Sequence, residues 1–86
     1  MIPIHELLNR IRWDADYGKA DFVIGYYDRV AERIIQLPLT SIGFDAEDAF
    51  DFTFVDEEGQ THSIPLHRIR QVFRNGELVW ERVGEN

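Results

Sequence analysis

Cysteine is absent from these 86 residues, which excludes disulfides and thiolate metal sites and gives no sign of an oxidising compartment. Lysine is nearly absent, since Lys19 alone accompanies eight arginines, and no base of either kind lies between Arg33 and Arg68. No apolar run is long enough for a membrane span, and Met1-Ile2-Pro3-Ile4-His5 lacks the basic start of a signal peptide. A soluble, cytoplasmic protein with no membrane association is the expectation. No glycine-rich phosphate loop is present, and Ser41 and Ser63 stand in no nucleophile-elbow context. His62 and His67 are five apart across Pro65, which matches neither helical nor strand spacing of paired metal ligands. The repeated His-x-Ser/Thr motif of two-histidine phosphoesterases is missing as well. The chain therefore reads as a non-enzyme with no metal and no cofactor.

What is present suits one globular domain over residues 1–86, with 44% apolar, 13% aromatic and 29% charged residues. The net charge of −7 argues against a broad nucleic-acid footprint. Seven of the sixteen acids fall within residues 45–58, however, so the rest of the chain is neutral. The acidic segment reads as a solvated strand edge that discourages edge-to-edge pairing. Its alternative role is a docking surface for a basic partner. An arginine-rich complement suits bidentate phosphate contacts, so a local arginine site is compatible with an acidic protein.

Asn75-Gly76 predicts a two-residue type I′ hairpin turn, because both central residues of that turn need positive φ. Unbroken alternation would then set Val72 opposite Val79, Gln71 opposite Trp80, Arg70 opposite Glu81 and Arg74 opposite Glu77. The last two are cross-strand ion pairs that need no ligand. His67 and Arg68, just after Pro65, have no such built-in partners and are better functional candidates.

Upstream, Ile4, Leu7, Leu8 and Ile11 predict an amphipathic helix that opens near Pro3. Trp13 either projects from the polar face of that helix or folds back as a core lid. The lid is favoured, because tryptophan is highly buried on average. Phe22–Tyr27 and Arg33–Leu37 predict strands joined by a turn at 28–32, with Gly25 marking a bulge or a close backbone approach. Residues 49–56 alternate phenylalanine with polar residues, a third strand with one buried face, and 60–64 return as a fourth. Ile35–Ile42 and His62–Ile69 echo each other: each is a strand, a Pro-Leu and one short turn, with isoleucine four residues after the proline. They predict two similar β-corners in a curved sheet. The expected fold is α+β, an N-terminal helix on a mostly antiparallel, barrel-like sheet of about six strands.

The chemistry that remains is a recognition constellation. Tyr26, Tyr27, Asp28 and Arg29 lie at the first turn, and His67, Arg68, Trp80 and Arg82 in the last hairpin. Aromatic rings stack on bases for about 1–3 kcal/mol each, and arginine forks grip phosphate. Four segments in order resemble a known family: Leu8-Asn9-Arg10-Ile11-Arg12-Trp13-Asp14, the run Phe22 to Arg29, the run Ile64 to Arg70, and the run Asn75 to Arg82. Together they are similar to the RNA cyclic-group end recognition domain. That resemblance implies recognition of RNA ends carrying a 2′,3′-cyclic phosphate, in association with RNA ligases, end-healing enzymes or nucleotidyltransferases of RNA repair and processing. Asp28-Arg29 and His67-Arg68-Ile69-Arg70 match the family's polar motifs. On this reading Arg29 and Arg68 hold the cyclic phosphate and His67 donates to its oxygen or to the ribose. Trp80 or Tyr26 stacks on the terminal base, and Asp28, Arg70 and Arg82 complete the site. The rivals are the protein-interaction module that uses residues 45–58 and, more remotely, a cyclic phosphodiesterase working through His62 and His67.

Overall fold

In the computed structural model, which describes residues 3–44 and 51–82, helix α1 spans Ile4–Trp13. Seven strands follow: β1 (Phe22–Asp28), β2 (Arg33–Pro38), β3 (Ile42–Phe44), β4 (Asp51–Val55), β5 (Thr61–Pro65), β6 (Ile69–Arg74) and β7 (Glu77–Glu81). All pairings are antiparallel, in a four-stranded sheet ordered β2-β1-β6-β7 and a three-stranded sheet ordered β3-β4-β5.

The helix forms where the apolar period demands it. Ile4, Leu7 and Leu8 are buried along one stripe, and Ile11 packs beside them. Its end is closed by Asp14, whose N–H donates to the Arg10 carbonyl at 2.9 Å. The same residue's Oδ1 accepts from the N–H groups of Asp16 and Tyr17, each at 3.1 Å. The helix runs on through Trp13, which is 78% exposed, so the core-lid arrangement does not occur. Among the described residues no helix is long and apolar enough to cross a membrane.

The two Pro-Leu segments do form matching corners. Pro38 (φ −63, ψ 141) and Pro65 (φ −61, ψ 139) each lead into a 3₁₀ turn, Leu39–Ser41 and Leu66–Arg68. In each, the following isoleucine N–H donates back to the leucine carbonyl. Proline sets the entry angle, and the residues after it cannot continue the ladder. The first corner carries the chain out of the four-stranded sheet and the second brings it back. The corners thus divide the strands between two sheets instead of curving one. This is why the architecture is α+β with two open sheets and seven strands, not a six-stranded barrel-like sheet. The additional strand is β3, only three residues long and too short for alternation to reveal.

The core lies between the four-stranded sheet on one side and α1 with the three-stranded sheet on the other. Phe22, Ile24 and Tyr26 from β1 meet Ile69 and Val72 from β6 and Trp80 from β7. Phe52 from β4 is fully buried against them, with its ring edge-on to Tyr26 at 5.7 Å between centroids. Each such side chain contributes about 1.5–3 kcal/mol by leaving water.

Burying Ile69, Val72 and Trp80 on one face breaks strict alternation twice. Ile69 and Val72 are three apart, so β6 bulges against β1: Gln71 pairs with Gly25, Ile69 pairs with Tyr26, and Arg70 is the extra residue. β7 then slips by one against β6, so that Val72 faces Trp80 and Gln71 faces Glu81. The expected register therefore holds at Arg74–Glu77 and Phe73–Leu78 and fails beyond them. Val79 is the residue passed over, because a buried tryptophan removes far more apolar area from water than a valine. The turn itself is as expected: Asn75 (φ 53) and Gly76 (φ 85) occupy the left-handed region. Gly25 marks both a register shift and a close approach. A Cβ there would stand 2.9 Å from Gln71 Oε1 and from Ile34 Cγ2.

Candidate nucleic-acid interface

Strand direction places the predicted polar residues at one end of the four-stranded sheet. β1 ends at Asp28, β2 begins opposite it at Arg33, β6 begins beside Tyr26 at Ile69, and β7 ends at Glu81. Arg29, Arg33, Arg68, Arg70 and Arg82 therefore gather at this end, five of the nine bases of the chain. The same end carries the carboxylates Asp28, Glu32 and Glu81.

Asp28 builds the turn that presents Arg29. Its Oδ1 accepts from the N–H groups of Val30 at 2.8 Å and Ala31 at 3.1 Å, and its carbonyl accepts from the Glu32 N–H at 2.7 Å. Glu32 closes the turn at φ 57. Arg29 and Val30 are left exposed at the tip, Val30 at 95%. Asp28 is thus engaged by backbone donors of the turn, and Arg29 is left exposed at its tip.

His67 and Arg68 are held from both sides. Leu66 before them and Ile69 after them are buried, while His67 is exposed and Arg68 half-buried. The short turn they occupy packs against β1 and α1. Arg70, tipped out by the bulge, has its guanidinium carbon 5.6 Å from the centre of the Tyr27 ring. Arg82 is pinned more firmly, with Nε donating to the Ile69 carbonyl at 3.1 Å and its guanidinium 5.3 Å over Trp80.

Two predicted residues are not available for stacking. Tyr26 is 3% exposed and Trp80 6%, both within the core. Burial, and secondarily the Asp28 carboxylate, pushes the Tyr26 hydroxyl above its usual 10.0, so it stays neutral. Tyr27, the other tyrosine of the first turn, is the aromatic left partly exposed at this end. Consecutive strand residues face opposite sides, so once Tyr26 turns inward Tyr27 turns outward. Arg33 also lies at this end and was not among the expected residues. Its position opposite Asp28 across a turn was the available signal.

The remaining candidates have local roles. His62 Nε2 lies 2.7 Å from Asp56 Oδ2 near the start of β5, whereas His67 follows the end of that strand. Residues 45–50 of the acidic segment lie outside the described residues. The described part contradicts the strand-edge expectation, because β4 is the central strand of its sheet. Its Asp51 accepts from Ser63 Oγ at 3.2 Å. Arg10 and Arg74 sandwich Tyr17, at 4.0 and 4.8 Å from its ring centre, at the opposite end of the sheet.

Comparison with known sequences adds a family. The MJ1316 RNA cyclic group end recognition domain matches residues 1–82. A UPF0248 protein of Methanococcus maripaludis (strain C6) is 38% identical over 82 residues, covering 92% of this chain and 97% of its own length. A UPF0248 protein of Saccharolobus islandicus (strain L.S.2.15) is 32% identical over 84 residues, covering 94% of this chain and all of its own. A counterpart in Saccharolobus solfataricus (strain P2) is 29% identical over a span of the same length. No solved structure matches the chain.

Proposed function

This chain belongs to the MJ1316 RNA cyclic group end recognition domain family, and on that premise we propose that it is a non-catalytic binder of RNA 3′ ends closed by a 2′,3′-cyclic phosphate. The supporting observation is the convergence of five arginines and His67, from β2, β6, the residue after β7 and two turns, on one end of one sheet. A cyclic phosphate is a monoanion with two free oxygens, which one or two arginine forks satisfy. Arg29 and Arg68 take those oxygens, and His67 donates to the ribose or the phosphate. Tyr27 supplies the ring face that Tyr26 and Trp80, being buried, do not.

Charge decides the preference. A 3′-monophosphate carries up to about two charges near pH 7, and a many-based site would favour it on that ground. Here three carboxylates leave the five arginines a surplus of only two, and the whole chain is at −7, which opposes the second charge of a monophosphate. The order of affinity is cyclic phosphate, then 3′-phosphate, then 3′-hydroxyl. In a cell such a module would work alongside a ligase, an end-healing enzyme or a nucleotidyltransferase of RNA repair or processing.

Titration of the full chain with oligoribonucleotides that differ only at the 3′ end tests the reading. The expected log–log salt slope is about −0.7 per phosphate contact, for one or two contacts. Equal affinity for the three ends would overturn it. Conversion of the cyclic end to a monophosphate, lost in His67→Ala, would instead identify a phosphodiesterase.

A further inference from the structure

The four-stranded sheet has a second face, turned away from α1 and the three-stranded sheet, and it is aromatic at both ends. Its residues follow from the alternation that buries Phe22, Ile24 and Tyr26: Val23, Gly25 and Tyr27 point the other way. Across from Val23 stands Phe73, and across from Gly25 stands Gln71. None of Val23, Tyr27 and Phe73 belongs to the core cluster, and all three are half-buried. We propose that this face is a platform for the unpaired nucleotides immediately 5′ of the bound end, so that the protein reads a short single strand and not a terminus alone. The inference rests on the end-binding reading above.

Tyr27 and Phe73 lie on β1 and β6, the two central strands. Phe73 is level with Val23, four residues from Tyr27, so the rings stand about 13 Å apart along the sheet. Aromatics so placed on the middle strands of a four-stranded sheet suit two or three stacked bases. Between them the floor combines amides with the Ile34 methyl that reaches over Gly25. Gly25 has no side chain, and the Gln71 amide lies over it, with Gln36 paired to the same glycine from β2. Amides both donate to and accept from base edges and add no charge.

Electrostatics join this face to the arginine end. The bulge that makes Arg70 the extra residue of β6 puts its guanidinium over Tyr27, on the boundary between the two. Glu81, opposite Gln71 on the edge strand, is the carboxylate that the register places on this face. A strand whose terminal phosphate sits among Arg29 and Arg68 can thus lay its terminal base over Tyr27 and its next bases toward Phe73 with its backbone along the cationic rim. An acidic or apolar protein partner would use either the rim or the rings, while a nucleotide run uses both.

Fluorescence anisotropy with cyclic-phosphate oligouridylates of one, two, four and eight nucleotides tests this on the full chain. Wild type should bind the four-nucleotide probe at least fivefold more tightly than the mononucleotide for each base stacked, and the eight-nucleotide probe no more tightly than the four. Phe73→Leu, which keeps apolar volume, should lose at least fivefold on the four-nucleotide probe and nothing on the mononucleotide, whereas Tyr27→Leu, beneath the terminal base, should lose on both. Tyr27→Phe should behave as wild type. Arg29→Ala should weaken all lengths equally. Cyclic-end discrimination that persists with no dependence on length would overturn the platform and leave the end-binding reading intact, as would a Phe73→Leu variant with an unchanged length profile. Sedimentation showing this face closed by a second copy would do the same. Failure of the folded wild type to bind any of the probes would overturn both.

Discussion

His62 Nε2 stands 2.7 Å from Asp56 Oδ2, and together they lock the turn between β4 and β5. The other oxygen of the same carboxylate accepts from the N–H groups of Glu58 and Gln60, each at 2.9 Å. The His62 ring in turn stacks on Phe54, with centroids 5.0 Å apart. The His62 bond, reinforced by the backbone donors, holds the Asp56 carboxyl below its usual 3.8. A carboxyl depressed on folding adds stability above its unfolded value, and that stability is lost as pH falls through the folded value. The protein should therefore lose melting temperature below about pH 4. Asp56→Asn keeps an acceptor for the two N–H groups and should lessen that acid loss. Asp56→Ala should lower the melting temperature at every pH. Circular dichroism melts from acid to neutral pH check this, and a steeper acid loss in Asp56→Asn than in wild type would contradict the assignment.

The two tryptophans should behave oppositely. Trp80 is buried opposite Val72, so Trp80→Ala should cost about 3–5 kcal/mol, most of the stability of a small domain. Trp13 is 78% exposed on the helix, and Trp13→Ala should change stability by less than about 0.5 kcal/mol. Acrylamide quenching of Trp13→Phe and Trp80→Phe separates them. Emission from Trp13 should be strongly quenched and emission from Trp80 shielded.

Asn75 has two tasks. It holds φ at 53 in the hairpin turn, and its Oδ1 accepts from the Asp21 N–H at 3.0 Å while its own N–H donates to the Asp21 carbonyl at 2.7 Å. Asn75→Ala loses the side-chain bond and strains the turn, at about 2 kcal/mol. Asn75→Asp retains both features and should cost less than about 1 kcal/mol. Asn75→Pro cannot reach positive φ and should abolish the turn. Urea midpoints rank the three.

Arg82 and Arg29 divide structure from recognition. Arg82→Ala removes the bond to the Ile69 carbonyl and the contact over Trp80, for about 1–2 kcal/mol. Arg29→Ala, at an exposed turn tip, should leave stability within about 0.5 kcal/mol and weaken binding of cyclic-phosphate RNA. Paired melts and titrations check both. Loss of stability in Arg29→Ala with RNA binding unchanged would reassign Arg29 to the fold.

Which parts of this were legible beforehand follows from the range of the interactions involved. The helical stripe of Ile4, Leu7, Leu8 and Ile11, the turn at Asn75-Gly76 and the two Pro-Leu corners are each settled within a few residues. His67 and Arg68 stood out as residues with no partner built into the local pattern, and Arg33 did not. The stacking aromatics were not. Tyr26 and Tyr27 are adjacent and chemically alike, and only the packing of Phe52 against β1 selects which of them turns inward.

By itself, then, the sequence determined the local conformations: where the chain is helical, where it is extended, where it turns and where proline bends it. Tertiary structure alone decided the faces and the register. Ile69 and Val72, three apart, cannot share a face without a bulge, and Trp80 displaces Val79 from the place that alternation assigns it. Both departures arise because burying large apolar area in the common core outweighs a regular ladder. The same bulge tips Arg70 over Tyr27. The pairing of β1 with β6, segments far apart in the chain, brings Arg68 to the end of the sheet where Arg29 and Arg33 flank the β1–β2 turn. No spacing within the sequence encodes that convergence, because it exists only once distant strands pair.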